Sequence, residues 1–463
     1  MTVNIHVDNA VRVLEADLPA SVVPRIERHL TLLNPQWQKV ERYGRWKNTN
    51  PKYLTYYQRD SGVFILPRGY INGLLNLLEQ YDYTIIDRTC KLPEVSFGFQ
   101  GELYAFQQQA LRDILTHRFG VLEAPPGSGK TIMAIAAIED RRQPTLVIVH
   151  SKELMYQWRE RLEEFLRLDR HDIGLIGDGN TKIEPNITIG IINSLYKCKG
   201  ELYNRIGHLI VDECHHVPAK TFTEVVSHFN SSYMLGLSAT PYRSDNLTNI
   251  IYFYMGDRVH QINARQLQAV KKIMRARLEV RYTEFSYSKA AQDYQGMLSS
   301  LVEDERRNGL IVQDVVKHIG RRGIALVLSD RVAHCEKLYH MIAENNPKAR
   351  LLTGGIVMEA RKEIVRELKQ GEVDVLVATS RLIGEGFDLK TMSSIFLATP
   401  VKFTGRLKQY IGRILRVAEG KEEAIIYDYI DIPRVLRSSF LSRLVAYKSM
   451  GVEVPEHMLK KIR

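Results

Sequence analysis

The sequence predicts an α/β chain in which two parallel-sheet domains follow a small α+β N-terminal domain. Three observations lead there. Short β-branched runs alternate with amphipathic helical stretches, the alternation breaks once and resumes, and 463 residues are too many for one core and enough for two or three.

Residues 1–95 mix short alternating segments with a helical stretch at Tyr70–Gln80. From Leu103 the alternation becomes regular. Its β-rich runs are Gly120–Glu123, Thr145–His150, Ile187–Ile192, His208–Val211 and Met234–Ser238, with helical stretches at Thr131–Asp140 and Lys152–Arg167. Apolar runs separated by amphipathic helices predict a parallel sheet covered on both faces. Asp245–Arg306 is less readable. The pattern resumes at Ile324–Leu328, Val373–Ala378, Ile395–Ala398 and Ala424–Tyr429, so domains are drawn at 1–95, 96–250 and 251–463.

Composition narrows the function classes. Hydrophobic residues at 44% and charged residues at 25% fit an ordinary globular protein. The net charge of +11 favours a polyanionic partner without separating DNA, RNA and an anionic membrane. Met1–Ala10 lacks the basic-then-apolar order of a signal peptide, and no apolar run is long enough to span a bilayer. A soluble protein of the cytoplasm, bacterial or phage-infected, is expected. The four cysteines are scattered without a CxxC pair, and the adjacent Cys214, His215 and His216 cannot converge on one ion, so neither a disulfide framework nor zinc is expected.

Ala124-Pro125-Pro126-Gly127-Ser128-Gly129-Lys130-Thr131 stands between a predicted strand and a predicted helix. Small residues there let backbone N–H groups approach phosphates, and the helix N-terminus adds positive potential. Pro126, Gly127, Ser128 and Gly129 would line ATP, Lys130 would reach the β- and γ-phosphates, and the Thr131 hydroxyl would sit on Mg2+. Ala124 stands where the GxxxxGK[ST] pattern has its first glycine. A Gly-rich turn is the bland alternative, and a second element argues against it: Ile210-Val211 runs into Asp212-Glu213. Strand C-termini of open α/β sheets are where ligands collect. Asp212 would hold the magnesium and Glu213 would polarise the attacking water.

Asp212-Glu213-Cys214-His215 after a Gly-Lys-Thr loop, followed by Ser238-Ala239-Thr240-Pro241, resembles the first motor domain of superfamily-two helicases. The resemblance implies two tandem RecA-like domains and a catalytic set that includes His215. Phe106-Gln107 is similar to the family's adenine-reading segment, with Tyr104-Ala105 where Arg-Pro usually stands. His150-Ser151-Lys152 and Asn193-Ser194-Leu195 resemble segments that touch the nucleic-acid backbone. Val377-Ala378-Thr379-Ser380 with Gly384-Glu385-Gly386-Phe387-Asp388 resembles the fifth motif, which implies Thr379 at nucleic acid and Gly386 and Asp388 at the nucleotide. Gln409-Tyr410-Ile411-Gly412-Arg413-Ile414-Leu415-Arg416 resembles the sixth. It implies that Arg413 and Arg416 are arginine fingers, sharing one helix face if that segment is helical.

Within the superfamily, His215-His216-Val217-Pro218 and Tyr242-Arg243-Ser244-Asp245 resemble XPB-type DNA helicases, with Ser244 where a glutamate is usual. Arg42-Tyr43-Gly44-Arg45-Trp46, Leu66-Pro67-Arg68-Gly69-Tyr70 and Leu74-Leu75 look like the N-terminal domain of phage UvsW-type branch-migration helicases, implied to contact duplex DNA. From the residues themselves, Lys39, Arg42, Tyr43, Arg45, Trp46, Lys47, Lys52, Tyr53, Tyr56, Tyr57 and Arg59 interleave cations with aromatics. Cations neutralise phosphates and exposed aromatics stack on bases, whereas a small β-domain with Tyr and Trp in its core is the competing reading. The resulting expectation is a monomeric ATP-dependent DNA helicase or translocase acting on branched or duplex DNA, with single-stranded DNA as a further track and replication or repair proteins as partners. An RNA helicase, the motor of a restriction or defence complex, and a non-catalytic ATP-sensing module are the alternatives.

Overall fold

The computed structural model describes residues 2–37, 51–197, 200, 202–215, 219–239, 247–288, 293–319, 323–380, 382, 391–401, 404–418, 421 and 423–459. They divide into two compact units, one of Met1–Ala124 with Gly129–Ile262, the other of Pro125–Ser128 with Asn263–Arg463.

The first unit holds two large sheets. Its central sheet has eight strands in the order Asn180–Lys182, Ile173–Gly177, Ile187–Ile191, Thr145–Val149, His208–Val211, Tyr233–Ser238, Phe119–Glu123 and Arg258–Gln261. All pairings are parallel except that of the first, short edge strand. The parallel arrangement explains the sequence of the central strands. Thr145–Val149 and His208–Val211 are buried along their whole length, because helices cover both faces. The Lys130–Arg141 helix is one such cover; it buries seven residues from Met133 to Arg141 and stops at Arg142 in the left-handed conformation.

The N-terminal sheet runs Gln58–Asp60, Val63–Pro67, Ala10–Leu14, Val3–Val7 and Tyr83–Asp87, antiparallel except for the last pair. Its core of Ile5, Val11, Phe64 and Leu74 also takes in Phe253, from the Asn249–Met255 helix. Tyr70 meets Phe253 edge to face at 6.2 Å. Arg68 is buried, donates to the carbonyls of Asp8 (3.1 Å) and Ser231 (2.8 Å), touches the Met234 sulfur, and lies over Phe119. A Cβ on Gly69 would stand 2.3 Å from the Gly256 nitrogen, so only glycine permits this backbone approach. Arg68 and Gly69 therefore dock the N-terminal sheet on the sheet that follows it.

The second unit has one parallel sheet in the order Ala349–Leu352, Val375–Thr379, Ile324–Ser329, Met392–Leu397, Ala424–Ile430, Ala276–Tyr282 and Val452–Glu453. The fold class expected from the sequence is the observed one. The stretch from Asp245 that reads poorly contains Arg258–Gln261, an edge strand of the first sheet, so the first unit reaches Ile262 rather than ending at 250. It also contains Ala276–Tyr282, whose only outer neighbour among the described residues is a two-residue strand, which accounts for its alternating charges. Among the described residues no helix is long and apolar enough to cross a membrane.

Candidate functional site

The C-terminal ends of the first unit's parallel strands share one edge, and the residues singled out for chemistry stand along it. Phe119–Glu123 leads into the phosphate loop, where the Ala124 nitrogen donates to the Ser238 carbonyl at 2.9 Å. Gly127 and Gly129 take φ of 84° and 79°. At Gly129 a side chain is excluded twice, by the dihedral and because a Cβ would lie 2.4 Å from the Gln107 amide nitrogen. Lys130 begins the helix; its ammonium donates to the Ala124 carbonyl at 3.0 Å and lies 3.6 Å from a Glu213 oxygen. Thr131 occupies the next helical position. Gln107 is buried, and its carboxamide oxygen accepts from the Tyr104 nitrogen at 3.0 Å, closing the first turn of the Ala105–Leu115 helix.

His208–Val211 delivers the two acids. Asp212 is buried, with Oδ1 accepting from the Glu213 nitrogen and Oδ2 from the Trp158 indole, both at 2.8 Å. Burial, and then the neighbouring Glu213 charge, push the Asp212 carboxyl up to about 6, against the pull of Trp158 and Lys130. Glu213 sits at φ 46°, a conformation that non-glycine residues rarely adopt and that clusters at functional sites. Its other oxygen lies 3.4 Å from His215 Nδ1 and 3.5 Å from the Ala239 nitrogen. His215 Nδ1 also meets the Ser238 hydroxyl at 2.9 Å, so the histidine bridges the acidic strand end and the next strand. Lys130, Asp212, Glu213, His215 and Ser238 thus form one cluster.

The donor set suits a small hard cation. A buried carboxylate whose ionisation is opposed by a second carboxylate gains from a divalent ion, and carboxylate and hydroxyl oxygens are what Mg2+ takes. Asp212 and Thr131 would hold such an ion.

The segments expected at nucleic acid lie further along the same edge. His150 follows Thr145–Val149, the Ser151 hydroxyl caps the Lys152–Leu166 helix by accepting from the Leu154 nitrogen at 3.3 Å, and Lys152 is exposed. Asn193 and Ser194 lie in the single turn after Ile187–Ile191, the neighbouring strand, with Asn193 exposed. Arg42, Arg45, Trp46 and Lys47 lie outside the described residues, as do Lys39, Tyr43, His216, Thr240, Pro241, Tyr242, Arg243, Ser244, Asp245, Gly384, Glu385, Gly386, Phe387 and Asp388. Of the other N-terminal aromatics and cations, Tyr56 and Tyr57 pack on the core. Arg59 is half-exposed and paired with Glu15 (3.2 Å) and Glu27 (2.9 Å). Lys52 lies over Trp37 and Tyr53, and Tyr53 is exposed.

In the second unit Thr379 ends Val375–Thr379. The Tyr410 hydroxyl, on the Thr404–Ile414 helix, donates to the Ser380 carbonyl at 2.7 Å and ties that helix to the strand end. Arg413 is in the last turn of this helix, and burial pushes it down to about 10, still charged at neutral pH. Arg416 is beyond the helix end, in a β-bridge with Ile273, so the two arginines do not share a helix face. Lys421 donates to the Arg416 carbonyl at 2.9 Å and to that of Ile414, and burial and the Arg416 charge push it down to about 7.

Trp158 is the site residue that sequence reasoning missed; Ser238 was singled out within its motif but given no partner, and the structure gives it His215. A lone Trp at a core-facing helical position looks like packing, and nothing local to it announces the carboxylate it meets.

Comparison with known proteins places the chain in a family. Residues 100–243 match the family model described as type III restriction enzyme, res subunit, and residues 309–418 match the helicase conserved C-terminal domain. A protein named as a helicase, 161L of Invertebrate iridescent virus 6, is 30% identical over 391 residues, covering 80% of this chain and 86% of the relative. The DNA 3'-5' translocase XPB2 of Sulfurisphaera tokodaii is 26% identical over 369 residues, covering 71% and 81%. The ATP-dependent DNA helicase uvsW of Enterobacteria phage T4 is 23% identical over 381 residues, covering 79% and 76%.

Proposed function

The chain belongs to the superfamily-two helicases and is an ATP-driven helicase, and from that premise we propose that its track is DNA and its task the remodelling of branched or duplex DNA. The observation that carries the reading is the shared edge of the first sheet. The cluster of Lys130, Asp212, Glu213 and His215 and the segments His150–Lys152 and Asn193–Ser194 all stand on ends of neighbouring parallel strands. Relatives named as a DNA translocase and a DNA helicase support DNA, while a relative of Acanthamoeba polyphaga mimivirus whose name calls it an ATP-dependent RNA helicase, 26% identical over 372 residues, keeps RNA as the second reading.

In this reading Lys130 exchanges its contacts with Ala124 and Glu213 for the β- and γ-phosphates, which frees the Glu213 carboxylate to orient the attacking water. Asp212 and Thr131 would hold a divalent ion, whose chemistry there would be to offset negative charge on the phosphates. His215 passes the state of Glu213 to Ser238, and Arg413 and Arg416 supply planar cations to the transferring phosphoryl group.

The deciding experiment measures ATP turnover and unwinding with forked DNA, Holliday junctions, plain duplex, single-stranded DNA and matched RNA forks. Stimulation by DNA, greatest for branched forms, is expected, with Lys130→Ala hydrolysing nothing yet binding DNA. Preference for RNA, or indifference to every DNA, refutes the reading.

A further inference from the structure

Trp158 is almost completely buried on the Lys152–Leu166 helix, where an indole is ordinarily a packing element. Its N–H, however, donates at 2.8 Å to Asp212, the carboxylate assigned to the divalent ion. A buried indole N–H needs an acceptor, and a backbone carbonyl would have satisfied it equally well. With the Glu213 nitrogen on Oδ1 and Trp158 on Oδ2, both oxygens of Asp212 are held, and its rotamer is set by groups outside the phosphate loop.

The helix that carries Trp158 also begins at the segment expected to face nucleic acid. Ser151 caps it, and Lys152 is its first residue. The strand before it reaches Asp212 as well, through the Asp212 nitrogen donating to the Ile148 carbonyl at 2.9 Å. Of these two links the backbone one is shared by every neighbouring pair of strands. The indole link belongs to one side chain, seven positions along a rigid helix from Ser151.

We propose that Trp158 is a positioning residue of the ATP site: its indole N–H aims the Asp212 carboxylate at the divalent ion, and its helix makes that carboxylate answer to contacts at His150–Lys152. The inference rests on the ATP-site reading above and adds to it the route by which nucleic acid governs hydrolysis. A displacement of the helix on engagement of the track is felt at Asp212 as a stretched or improved hydrogen bond, and the ion is held less or more firmly.

The test replaces Trp158, in the full chain, with 3-benzothienylalanine, which keeps the bicyclic shape and puts sulfur where the N–H was; Trp158→Phe is the second variant. The readouts are the Mg2+ midpoint for binding fluorescent methylanthraniloyl-ADP, the DNA-binding midpoint, and the factor by which forked DNA stimulates ATP turnover. Loss of one hydrogen bond to a charged group should raise the Mg2+ midpoint roughly ten-fold. Stimulation by DNA should fall alongside, with DNA binding itself unchanged. A wild-type Mg2+ midpoint, or full stimulation, in the benzothienyl variant overturns the proposal. Asp212→Asn is run beside it: if that variant keeps the wild-type Mg2+ midpoint, the ATP-site reading has failed and the role of Trp158 falls with it.

Discussion

Replacing Asp212 with asparagine should make the nucleotide-free protein more stable while it destroys Mg2+-dependent hydrolysis. The carboxyl is raised from 3.8 to about 6 by burial and by Glu213. Its folded value exceeds its unfolded one, so the folded state holds the proton more tightly, and ionising Asp212 costs stability as pH rises from 3.8 through 6. Above 6 the whole cost is present. At ~1.4 kcal/mol per pH unit the gap amounts to about 3 kcal/mol, and the side chain is too buried for solvent to screen it away. Asparagine removes that cost but can accept from only one of Trp158 and the Glu213 nitrogen, which returns about 1–2 kcal/mol. A net gain of about 1–2 kcal/mol remains, a rise of roughly 2–8 °C for a unit of this size. Scanning calorimetry without nucleotide or magnesium, at pH 7.5 and pH 4, checks it. The variant should melt higher at pH 7.5 and lose most of its advantage at pH 4. A variant that melts lower than wild type at pH 7.5, or an advantage independent of pH, refutes the argument.

The other predictions concern parts further from that carboxylate. Arg413→Ala and Arg416→Ala should each lower ATP turnover by about 10³-fold or more with nucleotide affinity largely kept, as for arginine fingers; single-turnover and binding measurements separate the two, and a loss of affinity alone would show phosphate binding without transition-state stabilisation. Arg68→Ala should destabilise the first unit by about 2–4 kcal/mol, because the buried Ser231 carbonyl and the half-buried Asp8 carbonyl lose their donor, and Gly69→Ala should loosen the N-terminal sheet, seen as faster hydrogen exchange at Asn249–Met255. Lys421, held at about 7 in the folded protein against 10.5, releases its proton first in the folded state, so the second unit should gain stability between pH 7 and 10.5. Urea midpoints across that range measure the slope, which Lys421→Met should flatten.

The buried parallel strands and the phosphate loop were legible because each is local. Thr145–Val149 and His208–Val211 are apolar throughout, since both their faces are covered, and Gly127 and Gly129 are required by backbone angles that the loop imposes on itself. What stayed hidden depends on partners far away in the chain. Arg258–Gln261 is polar because it is an edge strand, and only its pairing with Phe119–Glu123 makes it one. Arg59 reads as a cation beside aromatics and does lie over Phe64, but only the fold brings Glu15 and Glu27 beside it. The helix of Arg413 ends at Ile414 although the spacing to Arg416 is helical, because the chain there turns to pair with Ile273.

The docking of the N-terminal sheet changes how its contribution must be examined. A DNA-binding arm joined by a linker could be deleted and its share of affinity read from the difference. Here Phe253 of the following domain belongs to the N-terminal core, Tyr56 and Tyr70 lean on it, and Arg68 bonds a carbonyl beside the Tyr233–Ser238 strand. Removing residues 1–95 would uncover Phe119 and Phe253 and leave Ser231 without its donor, so weakened DNA binding would report damage as readily as lost contacts. Surface substitutions avoid this. Lys52→Gln and Tyr53→Ala touch an exposed basic-aromatic group outside the docking contacts. If the Lys52–Tyr53 group of the N-terminal domain, beside the two-stranded ribbon of Thr31–Leu33 and Tyr53–Thr55, holds the DNA backbone, Lys52→Gln lowers the salt slope of binding by about one unit with the melting temperature unchanged. An unchanged slope would leave that group out of the DNA interface, and would move the search for DNA contacts to the strand ends at His150–Lys152 and Asn193–Ser194.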